Sequence, residues 1–354
     1  MAFHSLQVKQ IERPTEESVA ISFDIPENLK EEFKYKQGQY LTLRTEINND
    51  EVRRSYSICS CPLDDELTVA IKRVEGGLFS NFANDQVKAG DVLEVMPPNG
   101  KFFTEVDPAN EKEYVGFAGG SGITPILSII ETVLRTEPKS YFTLFYANRK
   151  SSTIIFQEKL EALKNKYMQR FSIHHILSDE ITDTELYNGF IDKEKLQKFS
   201  KLFFDPKNVD EFFTCGPEPM MLAIRETLIE LEVPTKKIHM ELFTSPLGKL
   251  GGGKKKENTS AKAKSEVTIT LDGNNFVLPY DSNESILDVA QQNGLDLPYA
   301  CKGGVCSTCI CKVEEGEVEM DVNYSLEPDE LAAGMVLSCQ SHPKTDKVKL
   351  NFDV

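Results

Sequence analysis

Five of the chain's eight cysteines lie between Cys301 and Cys339. Cys301, Cys306 and Cys309 follow the spacing C-x4-C-x2-C, and Cys339 follows after 29 intervening residues. This is the thiolate spacing of a plant-type [2Fe–2S] cluster, in which one loop supplies three ligands and a distant residue the fourth. The glycines of Lys302-Gly-Gly-Val305 would let such a loop wrap the cluster and turn its amides toward the sulfurs. Zinc knuckles normally pair two C-x2-C ladders, and only one occurs here. Cys311 falls out of register and is expected to be a buried small residue on the following strand. The histidines, at 4, 174, 175, 239 and 342, have no metal spacing with one another.

Two further constellations are suited to phosphates and aromatic rings. Arg54-Ser55-Tyr56-Ser57 offers a forked guanidinium for a pyrophosphate and a tyrosine that can lie against a fused ring. Ile71, Lys72 and the turn Gly76-Gly-Leu-Phe-Ser80 follow it. There, backbone amides of Gly77, Leu78, Phe79 and Ser80 can approach phosphate oxygens, with Ser80 expected to open a short helix. Gly119-Gly-Ser-Gly-Ile-Thr-Pro125 stands where a strand gives way to a helix, as a dinucleotide turn requires, although it is not G-x-G-x-x-G. Cys215-Gly-Pro-Glu-Pro-Met220 ends a later strand. Together, Gly119, Gly120, Ser121, Gly122, Ile123, Thr124 and Pro125 on one side and Cys215, Gly216, Pro217 and Met220 on the other would flank one crevice. No histidine or other base lies near Cys215 in sequence, so it reads as a small residue beside a bound ring. Asn148-Arg-Lys-Ser-Ser152 follows a strand where an adenosine ribose would lie. Arg149 and Ser152 suit a 2′-phosphate, so NADPH is expected in preference to NADH.

These groups need elements to hold them. Up to residue 105 the chain reads as strands. Tyr40–Arg44 and Leu67–Val74 alternate apolar and polar residues, and Val92–Val95 is a short run. From Tyr114 onward, short apolar runs (Tyr114–Phe117, Tyr141–Ala147, Phe171–Leu177, Glu211–Cys215) alternate with helical segments (Pro125–Leu134, Thr153–Lys166, Glu218–Leu231). That pattern implies a parallel sheet with a nucleotide site at its strand ends. Residues 246–265, rich in Gly, Lys, Ser and Asn without apolar periodicity, read as a flexible linker. The expected organisation is a strand-rich domain (1–105), an α/β domain (106–245), the linker and a cysteine-bearing domain (266–354); the family that these segments resemble implies an antiparallel flavin barrel, a nicotinamide domain and an α+β ferredoxin domain of β-grasp type.

Composition narrows the function. The 354 residues carry a net charge of -16, which argues against a nucleic-acid partner. From Glu266 onward there are 16 acidic and 5 basic residues, marking a separate acidic module. No apolar run reaches the ~18–20 residues of a membrane span, and the start has no secretory pattern, so no membrane partner and a cytoplasmic location are expected.

With these residues in view, residues 1–245 resemble the ferredoxin–NADP reductase superfamily. The flavin motif matches Arg54, Tyr56 and Ser57, the phosphate loop Gly77 to Ser80, and the nicotinamide motifs Gly119–Pro125 and Cys215–Met220. Glu241-Leu-Phe243 resembles the terminal acidic-x-aromatic segment that closes over the flavin. Residues 266–354 resemble plant-type ferredoxins, and the domain order is that of oxygenase reductases, most like those of phenylacetyl-CoA epoxidases in phenylacetate breakdown. The resemblance implies FAD rather than FMN and hydride transfer from NADPH to the flavin. Single electrons then pass to the cluster and on to a di-iron oxygenase or another protein acceptor. It implies Tyr56, Ser57, Cys215, Glu241 and Phe243 at the reacting centre. Two other readings compete: the reductase of another aromatic or alkane oxygenase, and a non-catalytic dinucleotide-binding carrier module.

Overall fold

Strands fully buried on both faces and strands wetted on one face need different neighbours, and both kinds occur here. The computed structural model describes residues 2–243, 265–281 and 283–354. Six strands come first: β1 (His4–Thr15), β2 (Ser18–Asp24), β3 (Tyr40–Ile47), β4 (Asp50–Ser57), β5 (Leu67–Lys72) and β6 (Val92–Val95). They form an antiparallel sheet ordered β4-β3-β6-β1-β2-β5. Its two edges meet through an Ile58–Val69 bridge, which closes the sheet into a barrel. Helix α1 (Leu78–Asp85) buries Phe79 and Ala83 in the barrel core. The alternation in β5 predicts one wet face, yet Thr68 and Ala70 are buried as well. The outer face, with Ala20, Cys59 and Ala70, packs against Phe156 of the next domain.

That domain runs β7 (Glu113–Gly119), α2 (Ile123–Thr136), β8 (Tyr141–Asn148), α3 (Gln157–Lys166), β9 (Phe171–Leu177), α4 (Lys193–Leu202), β10 (Glu211–Gly216), α5 (Glu218–Glu230) and β11 (Ile238–Leu242). The strands are parallel in the order β11-β10-β7-β8-β9. The chain winds outward from β7 to β9, then returns to the other side of β7 with β10. The switch point therefore lies between β7 and β10, where ligands of open α/β sheets bind. Helix α4 has no counterpart among the segments read from the sequence. The helix expected from Thr153 starts only at Gln157, because Ile154 and Ile155 are buried and Phe156 takes φ +62°, which interrupts a helix.

Barrel and α/β domain form one unit, residues 1–243. Helix α2 supplies much of the joint. Ser128 Oγ donates to the Ser60 carbonyl at 2.6 Å, and Arg135 pairs with Asp64 at 2.8 Å.

The second unit contains β12 (Ser265–Leu271), β13 (Asn274–Tyr280), α6 (Ile286–Gln292), β14 (Ile310–Glu315), β15 (Val318–Met320), α7 (Pro328–Ala332), β16 (Met335–Leu337), β17 (Ser341–Pro343) and β18 (Lys347–Asn351). Its mixed sheet is ordered β13-β12-β18-β14-β16, with β12 and β18 parallel in the middle and α6 packed on the core, a β-grasp arrangement. Apart from Ser265, which begins β12, the expected linker lies outside the described residues.

Candidate functional site

The two glycine turns of the first unit touch each other. Gly122 packs so closely on β10 that a Cβ there would lie 2.0 Å from the Cys215 carbonyl oxygen, so no larger residue fits. A Cβ on Gly216 would meet the Gly119 backbone at 2.9 Å. The turn is pinned from below by Tyr146, whose hydroxyl donates to the Gly120 carbonyl at 2.9 Å. Sequence reasoning missed Tyr146, whose place in β8 looks like an ordinary core position. Of the seven turn residues, Gly120 and Ser121 are partly exposed, whereas Gly119, Gly122, Ile123, Thr124 and Pro125 are buried. Across the crevice Pro217 is exposed and Met220 half-buried.

Where barrel and sheet meet, three expected residues come together. Ser57, at the end of β4, donates its hydroxyl to Glu241 Oε2 at 2.8 Å. Glu241 on β11 sits directly beside Cys215 on β10. Cys215 is 0% exposed, and burial, then the nearby Glu241 charge, pushes its thiol well above the usual range, so it cannot act as a thiolate nucleophile. Burial also raises the Glu241 carboxyl to about 8, against the Ser57 hydrogen bond that favours its ionised form. At neutral pH Glu241 is therefore a neutral acid able to donate a proton or a hydrogen bond. Phe243, two residues on, is 40% exposed.

The raised carboxyl has a consequence for stability. Between an ordinary pKa near 4.5 and about 8, the folded chain keeps a proton that the unfolded chain releases. Stability should therefore fall as pH rises through that window. Denaturation midpoints across it should lose part of this decline in Glu241→Gln, and an unchanged slope would refute the assignment.

The barrel residues are placed as follows. Arg54 is half-buried, its guanidinium donating to the Arg53 carbonyl at 2.6 Å. The half-buried Tyr56 ring lies 5.5 Å from the Phe79 ring, and burial raises its hydroxyl above the usual range. Helix α1 begins at Leu78, not Ser80, and among the described residues no side chain caps its first turn, the end of a helix that suits an anion. The Ser80 hydroxyl instead accepts from the Val74 N–H at 3.1 Å, which tightens the Gly76-Gly77 turn. Ile71 and Phe79 direct their side chains into the core, so only their backbone can face a ligand, while Lys72 is half-buried. At the far end of the sheet Arg149 and Ser152 are exposed, on the loop after β8.

In the second unit the cysteines form two pairs. Cys301 contacts Cys306, and Cys309 contacts Cys339. The loop takes positive φ at Lys302, Gly304 and Ser307, which turns amides inward. Gly303 N–H donates to Cys301 Sγ at 3.2 Å, and Gln340 Nε2 donates to Cys339 Sγ at 3.4 Å. Within each pair one thiol is lowered, Cys301 to about 6, chiefly by the hydrogen bond from its neighbour. Among the described residues no three His, Cys, Asp or Glu side chains form a group able to hold a single metal ion. Two pairs of thiolates suit a two-iron cluster instead, with two ligands for each iron. Cys311 on β14 is 0% exposed and packs in the core.

Comparison with known proteins agrees with this anatomy. Residues 5–104 match the oxidoreductase FAD-binding domain, 117–226 the oxidoreductase NAD-binding domain, and 269–344 the 2Fe-2S iron-sulfur cluster binding domain. The chain is 46% identical over 354 residues to a component of the 1,2-phenylacetyl-CoA epoxidase of Escherichia coli K12, covering 99% of this chain and 98% of the relative. It is 33% identical to the ferredoxin reductase component of 3-ketosteroid-9-alpha-monooxygenase of Rhodococcus rhodochrous, covering 98% and 96%. The fold is similar to that of phthalate dioxygenase reductase, with a TM-score of 0.59 at 22% identity over 99% and 98% of the two chains. Among the described residues no helix is long and apolar enough to cross a membrane. The chain belongs to the family of oxygenase reductase components, oxidoreductases that join an FAD-binding barrel, an NAD-binding α/β domain and a [2Fe–2S] ferredoxin domain in that order.

Proposed function

We propose that this reductase draws electrons from NADPH and delivers them singly to the di-iron oxygenase that epoxidises the ring of phenylacetyl-CoA. The choice of oxygenase rests on the 46% identity to the Escherichia coli epoxidase component over nearly the whole chain. The electron path rests on the meeting of Ser57, Cys215 and Glu241 where barrel and sheet join.

When bound, FAD takes up a hydride's pair of electrons and the cluster carries them one at a time. The chain's own residues supply position and charge. Arg54 would neutralise the flavin pyrophosphate, the amides of Gly77 to Ser80 would bind its phosphate oxygens, and Tyr56 would lie against the ring. Gly120 and Ser121 would face the coenzyme pyrophosphate from one turn and Pro217 from the other. Cys215, small and uncharged, would leave room for the nicotinamide, while neutral Glu241 with Ser57 would hold a proton beside it. Phe243 would cover the ring. Cys301 with Cys306 and Cys309 with Cys339 would each hold one iron. The acidic ferredoxin domain would dock on a basic partner surface, with salt-sensitive kinetics.

The test is reconstitution with the oxygenase. NADPH consumption should be matched by epoxide formed from phenylacetyl-CoA. Reduction of ferricyanide without epoxide would assign the protein to another oxygenase, and no turnover of either would make it a non-catalytic carrier. Coenzyme choice has its own check. Arg149→Ala removes a charge-assisted contact to the 2′-phosphate, about 1.5–3 kcal/mol, and should raise the KM for NADPH about tenfold or more. The KM for NADH should stay within about twofold, and equal effects on both would remove Arg149 from the phosphate site.

A further inference from the structure

The sequence leads one to expect Arg149 and Ser152, on the loop after β8, to face a 2′-phosphate. The hydroxyl between them, that of Ser151, is already engaged by a carboxylate from the loop after the neighbouring strand. Ser151 donates its N–H to Glu180 Oε2 at 2.8 Å, and its hydroxyl lies 2.9 Å and 3.0 Å from the two carboxylate oxygens. This contact is built into the backbone. Strands β8 and β9 pair in parallel up to Asn148 and Leu177, and their loops continue the ladder. Ser178 N–H donates to the Asn148 carbonyl at 3.0 Å and Asp179 N–H to the Arg149 carbonyl at 2.9 Å. The next residue, Glu180, is thereby delivered across from Ser151. The Ser151 N–H, then its hydroxyl, lowers the Glu180 carboxyl, so it is ionised at neutral pH. The side chain of Arg149, exposed two residues before Ser151, makes no hydrogen bond or ion pair among the described residues.

We propose that Glu180 is the residue that sets the balance between NADPH and NADH, by holding the Ser151 donors against a 2′-phosphate while offering an acceptor to a 2′-hydroxyl. The inference rests on the reading that the adenosine end lies over the carboxyl ends of β8 and β9. The chemistry is one of exclusion and replacement. A phosphate dianion and a carboxylate cannot share the Ser151 N–H and hydroxyl, so NADPH must displace Glu180 and place its phosphate between Ser151 and Arg149. The ribose of NADH leaves Glu180 on Ser151 and donates its 2′-hydroxyl to a free carboxylate lone pair. Arg149 attracts the phosphate and Glu180 repels it, so the observed preference is the difference between the two.

The experiment compares the full-length holoenzyme with Glu180→Gln, a neutral side chain of the same shape. Ferricyanide reduction gives kcat/KM for each coenzyme, and calorimetry gives the affinities of 2′,5′-ADP and 5′-AMP, which carry the phosphate and the hydroxyl respectively. The variant is expected to raise kcat/KM for NADPH about fivefold or more and to lower that for NADH, moving their ratio by about tenfold. Binding of 2′,5′-ADP should tighten by a similar factor while 5′-AMP weakens. Ratios within about twofold of the parent in both measurements would overturn the proposal. A neutral Arg149→Ala with a shifted ratio in Glu180→Gln would overturn the NADPH reading and leave this one standing. The opposite pattern would do the reverse.

Discussion

Serine in place of Cys301, Cys306, Cys309 or Cys339 should abolish the visible and EPR signals of the cluster while FAD remains bound. Each position is one half of a contacting pair, and a hydroxyl, far less acidic than a thiol, does not supply the anion an iron requires. Electron delivery to cytochrome c should fall about a hundredfold or more, equivalent to about 2.7 kcal/mol or more of lost barrier lowering. Ferricyanide reduction from NADPH should persist, because the FAD-binding and NAD-binding domains lie in the other unit. Serine at Cys311 is the control. Its thiol is buried in the core beneath β14, so the variant should lose about 1–3 kcal/mol of stability from the buried hydroxyl but keep both signals. Loss of the cluster in Cys311→Ser would show that the ligand register is wrong.

Residues 1–245 alone should fold with FAD bound and reduce ferricyanide from NADPH at nearly the parent rate. They include the whole of the first unit, with the hydrogen bonds and ion pair that join barrel to α/β domain. Delivery to cytochrome c should drop steeply, because the three-cysteine loop and Cys339 are missing. Residues 266–354 added separately should restore only part of it. A tether holds two modules at an effective concentration of about millimolar, which a micromolar free domain cannot match. A fragment as fast as the whole chain toward cytochrome c would place the cluster off the main electron path.

Where the chemistry depends on local spacing, it was legible before any coordinates. The cluster loop is one case: Cys301, Cys306 and Cys309 are brought together within nine residues, so the chain itself sets their distances. The glycine turns are another, since close approach leaves no room for a side chain at Gly122. Boundaries set by burial were less legible. Ser80 looked like the start of a helix that begins at Leu78, and the helix expected at Thr153 starts four residues later because two buried isoleucines demand extended chain. Helix α4 was missed although its signals are present: Asp192 caps it, and Leu196, Phe199 and Leu202 recur every three residues among lysines.

Sequence alone determined the order of three modules and marked out the loop of Cys301, Cys306 and Cys309 and the two glycine turns, because each is carried by residue types at short, fixed separations. Tertiary structure alone decided which distant residues share an environment. Ser57 and Glu241 are 184 residues apart and meet only when the barrel edge packs on the sheet. The proton that Glu241 keeps at neutral pH comes from that burial, not from its neighbours in sequence. Likewise, Glu180 reaches Ser151, 29 residues away, because β8 and β9 run side by side and in the same direction. A spacing motif is a property of the chain, whereas desolvation and pairing across strands are properties of the packed interior, and they appear only once the interior exists.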